Sequence, residues 1–266
     1  MINLEQISGL PMEVDDQYRI KLHPPALQTG PLFFRKFSEM QPVLMDQTTK
    51  PPQPETYSVF RGIQLADDVY KIKDNRLSYD VTIIPSLMLG VEFNKTLGHY
   101  HEKITGTQYA HPEMYEVLSG KALFFLQKMD PELKNLITIL AIEAETGHKV
   151  IYPPNYAHII VNIGNQPLVT ANWISTDYKP MYEPIRDRQG MAYYVVPDKH
   201  GYKFEKNPKY SEHPVVRMVT VEDTISKQFG FTLQEPMYVT AMRDSMLLEF
   251  LNNPKKYAVQ LSTIAS

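Results

Sequence analysis

Cysteine is absent from this chain of 266 residues. Its absence excludes disulfides, thiolate nucleophiles, iron–sulfur clusters and cysteine-bound zinc, so any metal must rest on histidine, aspartate or glutamate. A basic excess is missing too. The 27 Lys and Arg are outnumbered by 30 Asp and Glu, for a formal net charge of −3. Proteins that grip nucleic acid through its phosphates carry a basic face, so no nucleic-acid partner is expected. No apolar run approaches the length of about 18 residues that reads as a membrane span. The start, Met1-Ile2-Asn3-Leu4-Glu5-Gln6-Ile7, lacks the basic stretch and apolar core of a signal peptide. No membrane partner and a cytoplasmic location are therefore expected. Apolar residues at 43% and charged residues at 21% match an ordinary globular protein, enough for one large domain or two small ones.

Three zones follow along the chain. Residues 1–56 hold eight of the 21 prolines. Proline interrupts helices and sheet ladders alike, so this zone reads as a wrapping arm with a few short strands or turns. Residues 57–208 read as many short strands: 80–85, 91–101, two strands within 113–127 joined at Ser119-Gly120, then 150–152, 158–163 and 168–174. Turn residues such as Gly147-His148, Pro153-Pro154-Asn155 and Gly164-Asn165 punctuate them. Short strands at this spacing predict an all-β sandwich or barrel. Residues 209–266 form a helical extension. A capping-box pattern at Thr220–Asp223 starts one short helix, and Gly230 can end it. A second helix is predicted over about 237–251, with Val239, Met242, Met246, Phe250 and Leu251 on one face and Asn252-Asn253-Pro254 ending it.

The chemistry concentrates in Gly98-His99-Tyr100-His101 and in the strand opening at Glu113. Alternate side chains on a strand share a face, so His99 and His101 point together, as do Glu113, Tyr115 and Val117. A tight turn at Pro153-Pro154-Asn155 then feeds His158 into another strand. A lone His-x-His is an ordinary strand pair. With Glu113 and His158 added, three imidazoles and a carboxylate form a set that suits Fe, Mn, Ni or Zn. His111, in the polar spacer beside Pro112, and Glu102, facing away from His101, are set aside as ligands. With 17 tyrosines in the chain, Tyr115 and Tyr182 are packing residues by default. The register that puts Tyr115 beside Glu113 makes it a candidate to act there. Thr82 and Thr96 are ordinary strand threonines by composition.

The spacing resembles the two motifs of the cupin superfamily. Glu113 and Gly120 are separated by six residues, and Gly147, Pro153, His158 and Asn162 fit the second motif, with Asn155 where glycine is usual. The eleven-residue spacer between His101 and Glu113 is longer than in most cupins. Together with Thr96–His101, Pro112–Leu118, Pro153–His158, Val161–Gly164 and Tyr182–Arg186, it resembles the cupin-type glucose-6-phosphate isomerases over about residues 57–197. The resemblance implies a cupin (double-stranded β-helix, or jelly-roll) barrel and isomerisation of glucose 6-phosphate to fructose 6-phosphate, a step of glycolysis and gluconeogenesis. It implies one divalent metal per subunit, iron first and then Mn, Ni or Zn, on His99, His101, Glu113 and His158. It further implies Glu113 and Tyr115 as catalytic residues, and Thr82, Thr96, Gly98 and Tyr182 as contacts to a sugar phosphate. Small cupins often pair, and the arm and apolar helix stripe need burial, so a homodimer is expected. Two other classes remain open at this point: a cupin non-haem iron dioxygenase, and a sugar-phosphate-binding cupin without turnover.

Overall fold

The computed structural model describes residues 1–224 and 229–264. Ten strands carry the architecture: β1 (Leu32–Lys36), β2 (Glu55–Phe60), β3 (Leu77–Ile84), β4 (Glu113–Ser119), β5 (Lys121–Met129), β6 (Leu136–Glu145), β7 (Lys149–Tyr152), β8 (Tyr156–Asn162), β9 (Leu168–Ser175) and β10 (Val216–Met218). One sheet runs β7-β4-β9-β3-β2-β1, antiparallel throughout. The other runs β8-β5-β6-β10, with only β10 parallel to its neighbour. From β4 to β9 the chain passes repeatedly between the two sheets, which is the winding of a double-stranded β-helix. The fold is therefore a cupin barrel. Its strands are rich in β-branched and aromatic residues, which suit a pleated buried surface. Every residue of β8 and β9 is buried, because both faces are covered.

Inside the barrel, Tyr115, Phe124 and Tyr152 pack as tilted or edge-on rings 4.9–5.8 Å apart. Polar side chains share that inner face at two adjacent levels. Tyr115 pairs with Asn172, Asn172 with Asp80, and Thr170 with Thr82 across β4, β9 and β3. The outer face of the same sheet carries Tyr79 and Trp173. They pack with Tyr238 of the C-terminal segment at centroid distances of 4.9–5.7 Å, so Trp173 is fully buried. Beside them Lys149 Nζ lies 2.7 Å from Glu116 Oε1, with both side chains wholly buried, and Glu116 Oε2 accepts the Met237 amide.

The segment before residue 57 is woven into this frame. β1 edges the larger sheet and brings Arg35 opposite Tyr57. Three sequence expectations change in the structure. β6 was not expected, since a short apolar run such as Leu136–Ile142 cannot be assigned to strand or helix by periodicity. The strand expected over 91–101 is broken: Glu92–Phe93 and Tyr100–His101 are separate, and the chain between them follows β8 by single bridges at Lys95 and His99. The helix expected over 237–251 is interrupted. α1 (Met237–Arg243) ends at Asp244, which turns extended and caps the next 3-10 turn through Met246 N, and α2 (Glu249–Asn252) follows. Much of the helix expected after Thr220 lies outside the described residues; Val221–Thr224 is helical.

Candidate active site and metal centre

Gly98 is the pivot that aims the first two imidazoles. Its φ of +87° suits glycine, and a Cβ there would meet Ile159 Cγ2 at 2.6 Å. The turn puts His99 against β8, in a bridge with His158, while His101 starts a short pairing with Pro180. Glu113 opens β4 and His158 sits within β8. The four side chains meet with their donor atoms all within 4.8 Å of one another. Nε2 of His99 and Nε2 of His101 are 3.2 Å apart, as are His158 Nε2 and Glu113 Oε2. Donors bound to one ion at about 2.0–2.2 Å, with tetrahedral or octahedral angles, lie roughly 3–3.5 Å from each other. Glu113 Oε2 and both ring nitrogens of His158 are buried without hydrogen-bond geometry to any described residue. A burial that leaves such atoms unmatched is costly unless a ligand completes it. The set fits a divalent ion on both counts.

The surroundings hold these donors in the form a metal needs. His101 Nδ1 is 2.8 Å from the His111 carbonyl. A carbonyl only accepts, so Nδ1 carries the proton and Nε2 keeps its lone pair. Burial, offset only in part by Glu113, pushes His101 down to about 4. Burial and the neighbouring His158 and His101 push His99 well below the usual imidazole value. For Glu113, burial acts upward but is outweighed by His158, His101 and the Tyr115 hydroxyl, so its carboxyl lies below the usual range. Glu113 Oε1 accepts from both Tyr115 Oη and Asn172 Nδ2 at 2.8 Å, leaving Oε2 to face the imidazoles.

A cavity of about 380 Å³ opens over this centre. His99, Glu113 and His158 line it, together with each residue singled out for substrate: Thr82, Thr96, Gly98, Tyr115 and Tyr182. The Thr96 hydroxyl accepts the Ile160 amide, and the Tyr182 ring packs 5.2 Å from that of His99. His111 and Glu102 stay outside the cluster. Glu102 is exposed, but His111 is buried rather than displayed in a polar spacer, because its ring docks on the C-terminal segment.

Sequence reasoning missed Arg35, Arg61, Asp80, Asn172 and Tyr178, all on the cavity wall. Arg35 donates to Tyr57, Glu39 and Tyr182. Arg61 donates to Asp80 at 3.0 Å and Tyr178 at 3.1 Å. Burial raises the Asp80 carboxyl despite Arg61, and it pushes the Tyr178 hydroxyl up to about 12. Alternation within 77–84 places Asp80 and Thr82 on one face, a signal that was available. The others depend on which strands pair, which lies outside any local pattern.

Asn155 explains its own departure from glycine. It adopts φ +71°, as the turn requires, and its side chain clasps the long spacer, accepting from Ala110 N at 2.9 Å and donating to Gln108 O at 3.1 Å.

Comparison with known proteins agrees with this geometry. The family model described as glucose-6-phosphate isomerase (GPI) matches residues 34–212. The match thus reaches back beyond residue 57 to take in Arg35 and the end of β1. Glucose-6-phosphate isomerase of Thermococcus litoralis is 28% identical over 180 residues, 66% of this chain and 86% of that protein. That of Thermococcus gammatolerans is 28% identical over 210 residues, 75% of this chain and the whole of that protein. The putative glucose-6-phosphate isomerase 1 of Rhizobium meliloti is 26% identical over 177 residues, 66% of this chain and 78% of that one. Hazelnut vicilin superposes with a TM-score of 0.35 at 11% identity, over 50% of this chain and a third of its own; so slight a likeness carries no argument. On the extent of the family match, this chain belongs to the cupin-type glucose-6-phosphate isomerase family.

Proposed function

We propose that the chain interconverts glucose 6-phosphate and fructose 6-phosphate at one divalent metal held by His99, His101, Glu113 and His158. The observation that carries the reading is this buried four-donor set, opening into a cavity lined by hydroxyls and two arginines. Iron, Mn, Ni or Zn all suit three imidazoles and a carboxylate. When bound, the metal supplies a Lewis acid for the C1 and C2 oxygens. The protein's part is positioning. Thr82, Thr96, the backbone at Gly98 and Tyr182 hold the phosphate, and Arg35 and Arg61 supply the local positive charge that a chain of net charge −3 otherwise lacks. Anchoring the remote phosphate fixes the reacting carbons.

Going from aldose to ketose, hydrogen passes from C2 to C1 and a proton from the C2 oxygen to the C1 oxygen. On this reading Glu113 is a ligand rather than the carrier of that hydrogen. Tyr115 and Asn172 already occupy Oε1, and Oε2 is turned to the imidazoles. The oxygen left free, Oε2, could take a proton only in competition with an ion shared with the imidazoles. We therefore favour a direct hydride shift over a base-mediated enediol, with Tyr115 steadying Glu113 on the cavity wall. The cytoplasm and a homodimer complete the proposal.

The test is a coupled isomerase assay on chelated protein and on protein reloaded with Fe²⁺, Mn²⁺, Ni²⁺ or Zn²⁺ without oxygen. Activity that vanishes on chelation and returns on reloading is expected. Full activity in metal-free protein would reject the metal, and turnover of the sugar phosphate that appears only once oxygen is admitted would point to a dioxygenase instead.

A further inference from the structure

We propose that His111 is a positioning residue for the metal centre, through which the C-terminal segment sets the aim of His101. The inference rests on the metal reading above. Two hydrogen bonds run in series. His101 Nδ1 donates to the His111 carbonyl at 2.8 Å, and His111 Nδ1 donates to the Leu251 carbonyl at 2.8 Å. Both directions follow from the acceptors being carbonyls. Leu251 lies in the last turn of α2, where helix carbonyls have no partner within the helix, so the imidazole meets a real need there.

The far end of this chain of bonds is rigid. Asn252, next to Leu251, accepts from the Ser175 hydroxyl at 2.6 Å and donates to the Asn75 carbonyl at 2.8 Å. It thereby pins α2 to the end of β9 and to the turn before β3. The near end needs such a brace. His101 and Glu113 are separated by a long spacer that folds back on itself through the Lys103–Ala110 bridge; Asn155 clasps it at Gln108 and Ala110, which leaves the His111 side chain to be fixed by Leu251. His111 is buried where the spacer returns to the barrel. Residues 213–266 lie outside the family match, so the brace on His101 comes from a part of the chain that the match does not include.

The test uses the full chain, with Mn²⁺ affinity measured by chelator competition and the visible spectrum of Co²⁺-loaded protein as a report on ligand geometry. His111→Ala keeps the carbonyl that His101 uses but frees it from Leu251, so it should weaken Mn²⁺ by about tenfold, the low end of the roughly 10–100-fold that follows outright loss of an outer hydrogen bond to a ligating histidine, and should alter the Co²⁺ bands. His111→Asn places an amide N–H near the position of Nδ1 and should restore most of the affinity. Tyr238→Phe is the control for simple loosening. It removes a hydroxyl bound to Asp68 and Leu65 N, neither of them in the spacer, and should lower Tm without changing metal affinity. Unchanged affinity in His111→Ala, or an equal loss in Tyr238→Phe, overturns the proposal. If the parent chain takes up neither Mn²⁺ nor Co²⁺, the metal reading falls first and this inference with it.

Discussion

Glu113 is where a single side chain decides between two chemistries. Glu113→Gln keeps the shape but weakens the oxygen facing the metal. If the carboxylate is only a ligand, as its two hydrogen bonds at Oε1 favour, metal affinity falls. Turnover at full metal occupancy then drops far less than the 10²–10⁴-fold that follows loss of a general base. Solvent deuterium should not enter at C1 of the fructose 6-phosphate that the native enzyme forms. A large loss at measured full occupancy, with exchange, would return the base role to Glu113. Asn155 poses a separable question. Asn155→Gly keeps the left-handed turn but loses the clasp on Ala110 and Gln108, at about 1–2 kcal/mol for two hydrogen bonds. Asn155→Ala adds roughly 1–2 kcal/mol of left-handed strain. Urea unfolding should therefore rank Asn above Gly above Ala; equal stability of the parent and the Gly variant would show that the clasp contributes nothing.

At the scale of elements, the outer face of the larger sheet is closed by α1 over a buried ion pair. Lys149→Met strips Glu116 of its cation in a site with no solvent. Removing one partner of such a pair costs about 3–5 kcal/mol, and Tm should fall by on the order of 10 °C. Adding Glu116→Gln removes the stranded charge while an amide oxygen still accepts the Met237 N–H. The double variant should regain most of the loss in a thermal scan. A double variant as unstable as Lys149→Met alone would mean that the damage is one of packing. The same region shows where reading elements from sequence stops. Apolar spacing marked one helix over about 237–251 with one apolar face, but only Phe250 and Leu251 of that face are buried; Met242 is half-buried, and Val239 and Met246 are exposed. The break at Asp244 depends on a side-chain cap that competes with the helix, and spacing does not register it.

For the whole molecule, the smaller sheet ends in β10, whose outer edge has no paired strand among the described residues. Val215, Met218 and Ile137 stand exposed near that edge at 88%, 52% and 51%. An open strand edge with apolar neighbours is a template for pairing, which supports the proposed homodimer. Light scattering at micromolar concentration should give twice 30.7 kDa; a single-chain mass would leave the edge as an ordinary surface.

The residues alone determined the all-β class, the meeting of His99, His101, Glu113 and His158, and the inward aim of Tyr115. These follow from local rules: strand alternation, turn residues at fixed offsets, and an absence of cysteine that left only His and carboxylates. The family likeness added Thr82, Thr96, Gly98 and Tyr182, and all four line the one cavity. Tertiary structure decided the rest. Arg35 reaches the cavity because β1 pairs with β2, Asn172 reaches Glu113 because β9 lies beside β4, and His111 is buried because α2 docks on the spacer. Each depends on which distant segments meet. That choice is made by the summed burial of whole faces, so no local window of sequence contains it.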